Sequence, residues 1–207
     1  FSTDNYRDKI ESTGAIFKTY GEQSDFFTPH NKVPGKSILE DLLNRMEEVL
    51  YTCEDVINYI LKEISGTQFD YIIYGSMFPF GNVIAQILKI PSISSFAVFA
   101  KPKAFECGED SEIVKNHRVY IVYKEIKEKL KEKYKIDMPP LFDLFFNRGD
   151  LNIVYTSRYF VSDSLESYDS SFIFIGPPIY KRKENLKFPF EKIDGKKVIY
   201  ISLGTVF

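Results

Sequence analysis

The chain reads as an α/β protein built on an open, Rossmann-like parallel sheet, and three observations predict this. Apolar strand-like runs alternate with helix-like stretches along the whole sequence. The run Tyr71-Ile72-Ile73-Tyr74 shows no polar alternation, as expected for a central parallel strand covered on both faces. A strand, a helix and a second strand then follow within about 30 residues, which makes a βαβ unit with a right-handed crossover.

The elements follow in order. Residues 4–13 predict a short helix with Asp4 as its cap and Gly14 as its stop, followed by a short strand at 15–20. Residues 21–36 are rich in turn formers. From 38 to 64, Leu39, Leu42, Leu43, Met46, Val49, Leu50, Cys53, Val56, Ile57, Ile60, Leu61 and Ile64 form one apolar stripe of a single long helix. Ser37 and Glu40 give it a capping box, and Gly66 ends it. Residues 70–74 then form a strand, 82–89 a helix and 92–98 a strand. Residues 112–135 predict a polar helix closed by Pro139-Pro140, whose interleaved Lys and Glu make a solvated face rather than a basic patch. Strands are expected at 151–155 and 172–175, then a charged linker, then a buried strand at 198–201. Both ends read as cut through structure, because residues 1–5 resemble a strand turning into a helix and 202–205 a turn leading into one.

Composition narrows the function classes. A net charge of −2 over 207 residues gives no electrostatic reason for a nucleic acid or an anionic membrane as partner. No apolar run is long enough to cross a bilayer, and a cytoplasmic protein is expected. The 19 Phe and 14 Tyr suit an apolar pocket as well as a core. Cys53 and Cys107 offer no metal spacing and no disulfide framework, and Cys53 lies on the helix stripe as a reduced, buried thiol.

Ligands of parallel sheets sit at the carboxyl ends of strands, so the turns at 75–81, 97–105, 156–160 and 202–205 are the places to inspect. The first, Gly75-Ser76-Met77-Phe78-Pro79-Phe80-Gly81, offers two aromatics and backbone donors at a helix start. Ser202-Leu203-Gly204-Thr205 offers two hydroxyls around a glycine, a way to hold phosphate that is neither a P-loop nor the Rossmann fingerprint. His30 and His117 have no carboxylate or hydroxyl partner at a suggestive spacing, and both read as structural or surface residues.

Several stretches together resemble the macrolide-type branch of the family 1 UDP-dependent glycosyltransferases. They are Phe1-Ser2-Thr3-Asp4-Asn5-Tyr6-Arg7-Asp8 with Gly14-Ala15, Asp70-Tyr71-Ile72-Ile73-Tyr74, Leu151-Asn152-Ile153-Val154-Tyr155-Thr156-Ser157-Arg158-Tyr159-Phe160, Phe174-Ile175-Gly176-Pro177 and Val198-Ile199-Tyr200-Ile201-Ser202-Leu203-Gly204-Thr205. The resemblance implies a two-domain GT-B enzyme. Residues 1–178 would be its acceptor-binding domain without the first strand and helix, 179–195 the linker, and 196–207 the start of the nucleotide-sugar domain.

The reaction implied is inverting transfer of a hexose, usually glucose, from a UDP-sugar to a hydroxyl of a small hydrophobic acceptor. A histidine base and an orienting aspartate would carry it, with UDP-sugar as substrate, no cofactor and no metal. Ser202, Gly204 and Thr205 match positions near the donor diphosphate, and Phe78, Phe80, Phe96, Phe99 and Phe105 would line the acceptor pocket. Neither histidine matches the family's base, and the aspartate's position is Gly75. Asp70 lies at the wrong end of its strand to replace it, so the chain by itself is expected to be inactive. A non-catalytic domain that captures apolar ligands is the alternative.

Overall fold

The computed structural model describes residues 1–21, 37–97, 110–179, 189–199 and 201. The chain divides into two units, Phe1–Pro177 and Pro178–Phe207. In the first unit a 3₁₀ turn at Asp4–Tyr6 runs into helix α1, Arg7–Glu11, and Gly14 follows at φ +85°. Asp4 is not the cap. Thr3 holds that position, while Asp4 pairs with Arg7 at 2.9 Å and accepts from Thr19 Oγ1 at 3.3 Å. The strand expected at 15–20 is reduced to a single parallel bridge between Ser2 and Thr19, and Ile16 stays 89% exposed. A strand persists only where a ladder of hydrogen bonds holds it, and here the backbone bond is Ser2 N–H to Lys18 O.

The long helix is two helices, α2 (Ile38–Tyr51) and α3 (Cys53–Glu63). Ser37 caps the first as expected, its hydroxyl accepting from Glu40 N–H at 3.2 Å. The interruption falls at Thr52, whose hydroxyl donates to the Val49 carbonyl at 2.8 Å and competes with the helical ladder. The apolar stripe survives the break: Leu43, Met46, Leu50, Cys53, Val56, Ile57 and Ile60 are all buried.

The sheet is parallel, in the order β1 (Ile72–Gly75), β2 (Ser92–Phe96), β3 (Leu151–Val154), β4 (Phe172–Phe174). Helix α4 (Gly81–Leu88) links β1 to β2 and ends on Lys89 in the left-handed region. β1 is therefore an edge strand of this sheet, not a central one, and only one of its faces is covered. Tyr74 is 6% exposed, whereas Ile73 is 60% exposed. The same asymmetry crosses the sheet: Tyr74, Ser94, Phe96, Asn152, Val154 and Phe172 are buried, while Ile173 at the far edge is 47% exposed.

The polar helix is also broken. α5 (Glu112–Lys115) and α6 (Arg118–Tyr134) meet at Asn116-His117, and His117 Nδ1 caps α6 by accepting from Val119 N–H at 3.1 Å. Helix α6 stops at Lys135, φ +59°, before the prolines. Its apolar side, Val119, Val122, Tyr123, Ile126 and Leu130, is buried. Its outer lysines pair with other elements, Lys127 with Asp137 and Lys129 with Glu54, both at 3.5 Å. α7 (Leu141–Phe145) adds Leu141 and Leu144 to the core.

In the second unit the described residues form a 3₁₀ turn at Phe190–Lys192. Of the buried strand expected at 198–201, the described residues Val198, Ile199 and Ile201 lie in no strand and are 54%, 86% and 82% exposed. An inner parallel strand needs bonded neighbours on both sides, and none is described beside these residues. The charged linker at 181–187 lies outside the described residues.

Candidate functional site

The carboxyl end of the sheet begins with the turn after β1. Ser76 N–H continues the pairing to Ser95 O at 2.9 Å, and Phe78 N–H closes the turn on Gly75 O at 2.8 Å. Pro79-Phe80 then leads into α4. Gly81 is required at the entry, because a Cβ there would overlap the ring of Tyr74. Tyr74 is in turn fixed by its hydroxyl donating to Arg148 O at 2.8 Å, and burial pushes its pKa up to about 12.

A buried residue that sequence reasoning missed holds this turn. Asn147, fully enclosed, donates from its backbone to Ser76 O at 2.8 Å and from Nδ2 to Pro79 O at 2.5 Å. Its carbonyl accepts from Ser94 Oγ at 2.6 Å, while its Oδ1 is buried with no hydrogen-bond partner among the described residues. Next to it, Asp150 Oδ2 accepts from both Ser92 N–H and Ser92 Oγ at 2.8 Å, locking β2 to the start of β3. The signal in the sequence is Asn147-Arg148-Gly149-Asp150, a run of turn formers ahead of a strand. Gly149 fits because a Cβ there would sit 2.8 Å from Ser92 O. At the ends of β2 and β3, Ser95 Oγ and Tyr155 OH share a hydrogen bond of 2.8 Å, and beyond them Tyr159 is 91% exposed on the 3₁₀ segment Arg158–Ser167.

The pocket residues expected from the sequence separate. Phe78 is half-buried, meets Phe80 edge-on at 5.8 Å and Tyr20 at 6.2 Å, and lines an open cavity of about 340 Å³. Phe80 is enclosed in the core, and Phe96 is enclosed against Phe172 at 5.3 Å. Phe99, Phe105, Ser202, Gly204 and Thr205 lie outside the described residues, as do His30 and Cys107. Gly75 is exposed, and a Cβ built on it meets nothing within 4 Å. Asp70 precedes β1, at the end of the strand away from this turn. Among the described residues no group of three His, Cys, Asp or Glu side chains is placed to hold a metal ion, and no helix is long and apolar enough to cross a membrane. Cys53 is a buried free thiol, its pKa pushed up to about 12 first by burial and then by Glu54.

With this geometry in hand, comparison with known proteins is informative. No family model matches the chain. Across its whole length it is 31% identical to the uncharacterized UDP-glucosyltransferase YojK of Bacillus subtilis, and it covers 51% of that protein. It is also 31% identical to the uncharacterized UDP-glucosyltransferase YdhE of the same organism, over 99% of the chain and 51% of the relative. The chain thus spans about half the length of the curated relatives it matches. Among solved structures, 86% of it superposes on the calicheamicin glycosyltransferase CalG4 with a TM-score of 0.56 at 19% identity, covering 43% of that chain. The glycotransferase of kitacinnamycin gives a TM-score of 0.61 at 17% identity, with 87% and 44% of the two chains covered.

A parallel sheet of this kind on that superposition is the fold of the GT-B glycosyltransferases. Within that class, the chain is similar over nearly its full length to proteins named UDP-glucosyltransferases, in line with the family its sequence resembles.

Proposed function

We propose that the protein of which this chain forms part transfers a hexose, glucose in the first instance, from a UDP-sugar to a hydroxyl of a small hydrophobic acceptor with inversion, in the cytoplasm. The observation that supports this best is the likeness, at 31% identity over 99–100% of the chain, to two proteins named UDP-glucosyltransferases. In this reading residues 1–178 are the acceptor lobe, 179–195 the linker, and 196–207 the opening of the donor lobe. Ser202, Gly204 and Thr205 would bind the donor diphosphate through hydroxyls and close backbone approach. Phe78 would begin the acceptor's apolar surroundings, with Phe80, Phe96, Phe99 and Phe105 behind or beside it. The UDP-sugar is a substrate, and the reading assigns no metal or cofactor.

No residue of this chain is assigned as base. The protein expressed from its complete reading frame is expected to turn over UDP-glucose with a flavonoid or macrolide acceptor, and the 207-residue chain to give no product. Product from the chain alone, or none from the whole protein with any acceptor tried, overturns the reading.

Gly75 favours a second reading, an apolar-ligand binder, because the turn 75–81 carries no carboxylate to orient an imidazole. Gly75→Asp in the whole protein separates the two. A degenerate enzyme gains rate by orders of magnitude, on the scale of the roughly 10⁴-fold effect of an orienting aspartate, whereas a pure binder does not respond.

A further inference from the structure

The apolar residues proposed around the acceptor offer it no side-chain hydrogen bond, and the ends of β2 and β3 supply one. We infer that the Ser95 and Tyr155 hydroxyls, 2.8 Å apart, are the polar contact that selects the acceptor, and that the class they select is a flat phenol. The inference rests on the reading of this lobe as the acceptor lobe and deepens it. Register comes first. Ser94, Phe96, Asn152 and Val154 are buried, so Ser95, Ile153 and Tyr155 take the opposite face of the sheet. Ser95 lies level with Ile153, and Tyr155 stands two residues further on. To reach Ser95 Oγ the Tyr155 side chain leans back across to β2, so its ring lies along the sheet instead of standing off it.

The surroundings of the pair are apolar or bare. On the side of β1 the register partner of Ser95 is Gly75, which brings no side chain to the hydroxyls. Gly75 is not among the glycines at positive φ, so its backbone conformation does not demand glycine. A strand glycine of that kind marks a place where a ligand comes close to the backbone. On the far side Ile175 donates its N–H to Val154 O at 3.0 Å, which sets it beside Tyr155, and it is 54% exposed. The whole group stands at the carboxyl ends of the strands, where parallel sheets take their small-molecule ligands.

Hydrogen-bond capacity then names the ligand group. Two hydroxyls carry two protons and their shared bond uses one, so one O–H is left to donate while both oxygens keep lone pairs to accept. A ligand hydroxyl, which donates and accepts at once, can close a three-membered ring of bonds with the pair, whereas an ether can only accept. Ile153, Ile175 and the bare Gly75 offer nothing to offset a charged ligand, whose burial here would be costly. They suit an apolar body instead. A flat ring can settle onto the backbone at Gly75 and stack against the Tyr155 ring, and a puckered one of the same size cannot.

The test compares three ligands by NMR titration of the 207-residue chain without any UDP-sugar. Naphthol is the probe. Methoxynaphthalene keeps the ring and loses the donor, and decalol keeps the hydroxyl and loses the flatness. Naphthol should move the amide signals of Ser95 and Tyr155 and bind roughly three- to tenfold tighter than either comparator. Tyr155→Phe and Ser95→Ala should each abolish the preference for naphthol over its ether and leave the affinity for the ether unchanged. A pair that only holds β2 to β3 would instead weaken all three ligands alike. Gly75→Val, which sets a branched side chain beside the hydroxyls, should weaken naphthol at least about tenfold. Equal affinities for naphthol and its ether, shifts confined to residues away from 95 and 155, or an unaltered preference in the hydroxyl variants each overturns the inference. Should a variant fail to fold, the three ligands on the parent chain decide. Failure of the proposed activity reads differently: sugar transfer by the whole protein with no preference for naphthol sinks only this inference, and a preference for naphthol with no transfer to any acceptor sinks only the activity.

Discussion

Gly75 and Gly81 bracket one turn and are glycine for unrelated reasons. Space around Gly75 is open, whereas Gly81 lies against the Tyr74 ring. Gly75→Ala or Gly75→Asp should therefore leave the unfolding free energy from urea denaturation within about 0.5 kcal/mol of the parent. Gly81→Ala should cost about 1–3 kcal/mol, since either the ring or the turn must shift. Asn147→Ala strands the Pro79 carbonyl and should cost a comparable amount, about 1–3 kcal/mol by chemical denaturation. The run 147–150 marks a turn in the sequence, but Asn147's long-range bonds were not legible there. Its partners Ser76, Pro79 and Ser94 lie 53 to 71 residues away (147 − 94 and 147 − 76), and no local pattern encodes a bond across that distance.

Among the elements, what depends on near neighbours was legible and what depends on the far side of the sheet was not. The stripe of α2 and α3, the Ser37 cap and the βαβ unit follow from spacing of one to four residues or from short-range order. The break at Thr52 was missed because a hydroxyl that bonds back to Val49 leaves the apolar stripe intact. The reading of β1 as a central strand took its uniform apolarity as proof of burial, yet an edge strand with one covered face can have the same composition. Phe78 borders a cavity while Phe80 and Phe96 are fully buried, and one sequence signal covers all three because core and pocket aromatics look alike. The cap of α6 offers a test of helix-end physics. No acidic residue stands in its first turn, and His117 is a weak substitute for the preferred cap residues. His117→Asp should raise stability by roughly 0.5–1 kcal/mol, read as an upward shift of the thermal midpoint.

For the whole molecule, alkali should be the weak side. The Cys53 thiol, ordinarily at 9.0, and the Tyr20 and Tyr74 phenols, ordinarily at 10.0, are all raised to about 12, chiefly by burial. Folding thus favours their protonated forms. The stability they supply is complete below about pH 9 and is lost as pH rises toward 12. Urea denaturation at pH 8 and pH 11 should differ by on the order of a few kcal/mol, and tyrosine absorbance should retain a late-titrating fraction until the chain unfolds. The uneven cover of the sheet predicts a second bulk property. With Ile73 and Ile173 open to solvent, the native chain should enhance the fluorescence of an apolar dye such as ANS, and Ile73→Lys with Ile173→Lys should reduce that signal without unfolding the protein.

The Asp150–Ser92 lock joins residues 58 positions apart, and this has a consequence for biosynthesis. When β2 leaves the ribosome, the carboxylate that will fasten its start to β3 has not yet been made. At ordinary translation speeds, about 5–20 residues per second, the wait lasts ~3–12 s, during which the serine-rich strand β2 stands without its β3 partner. Shortening that wait, by placing slow codons before residue 92 rather than between 92 and 150, should raise the yield of folded chain in a cell.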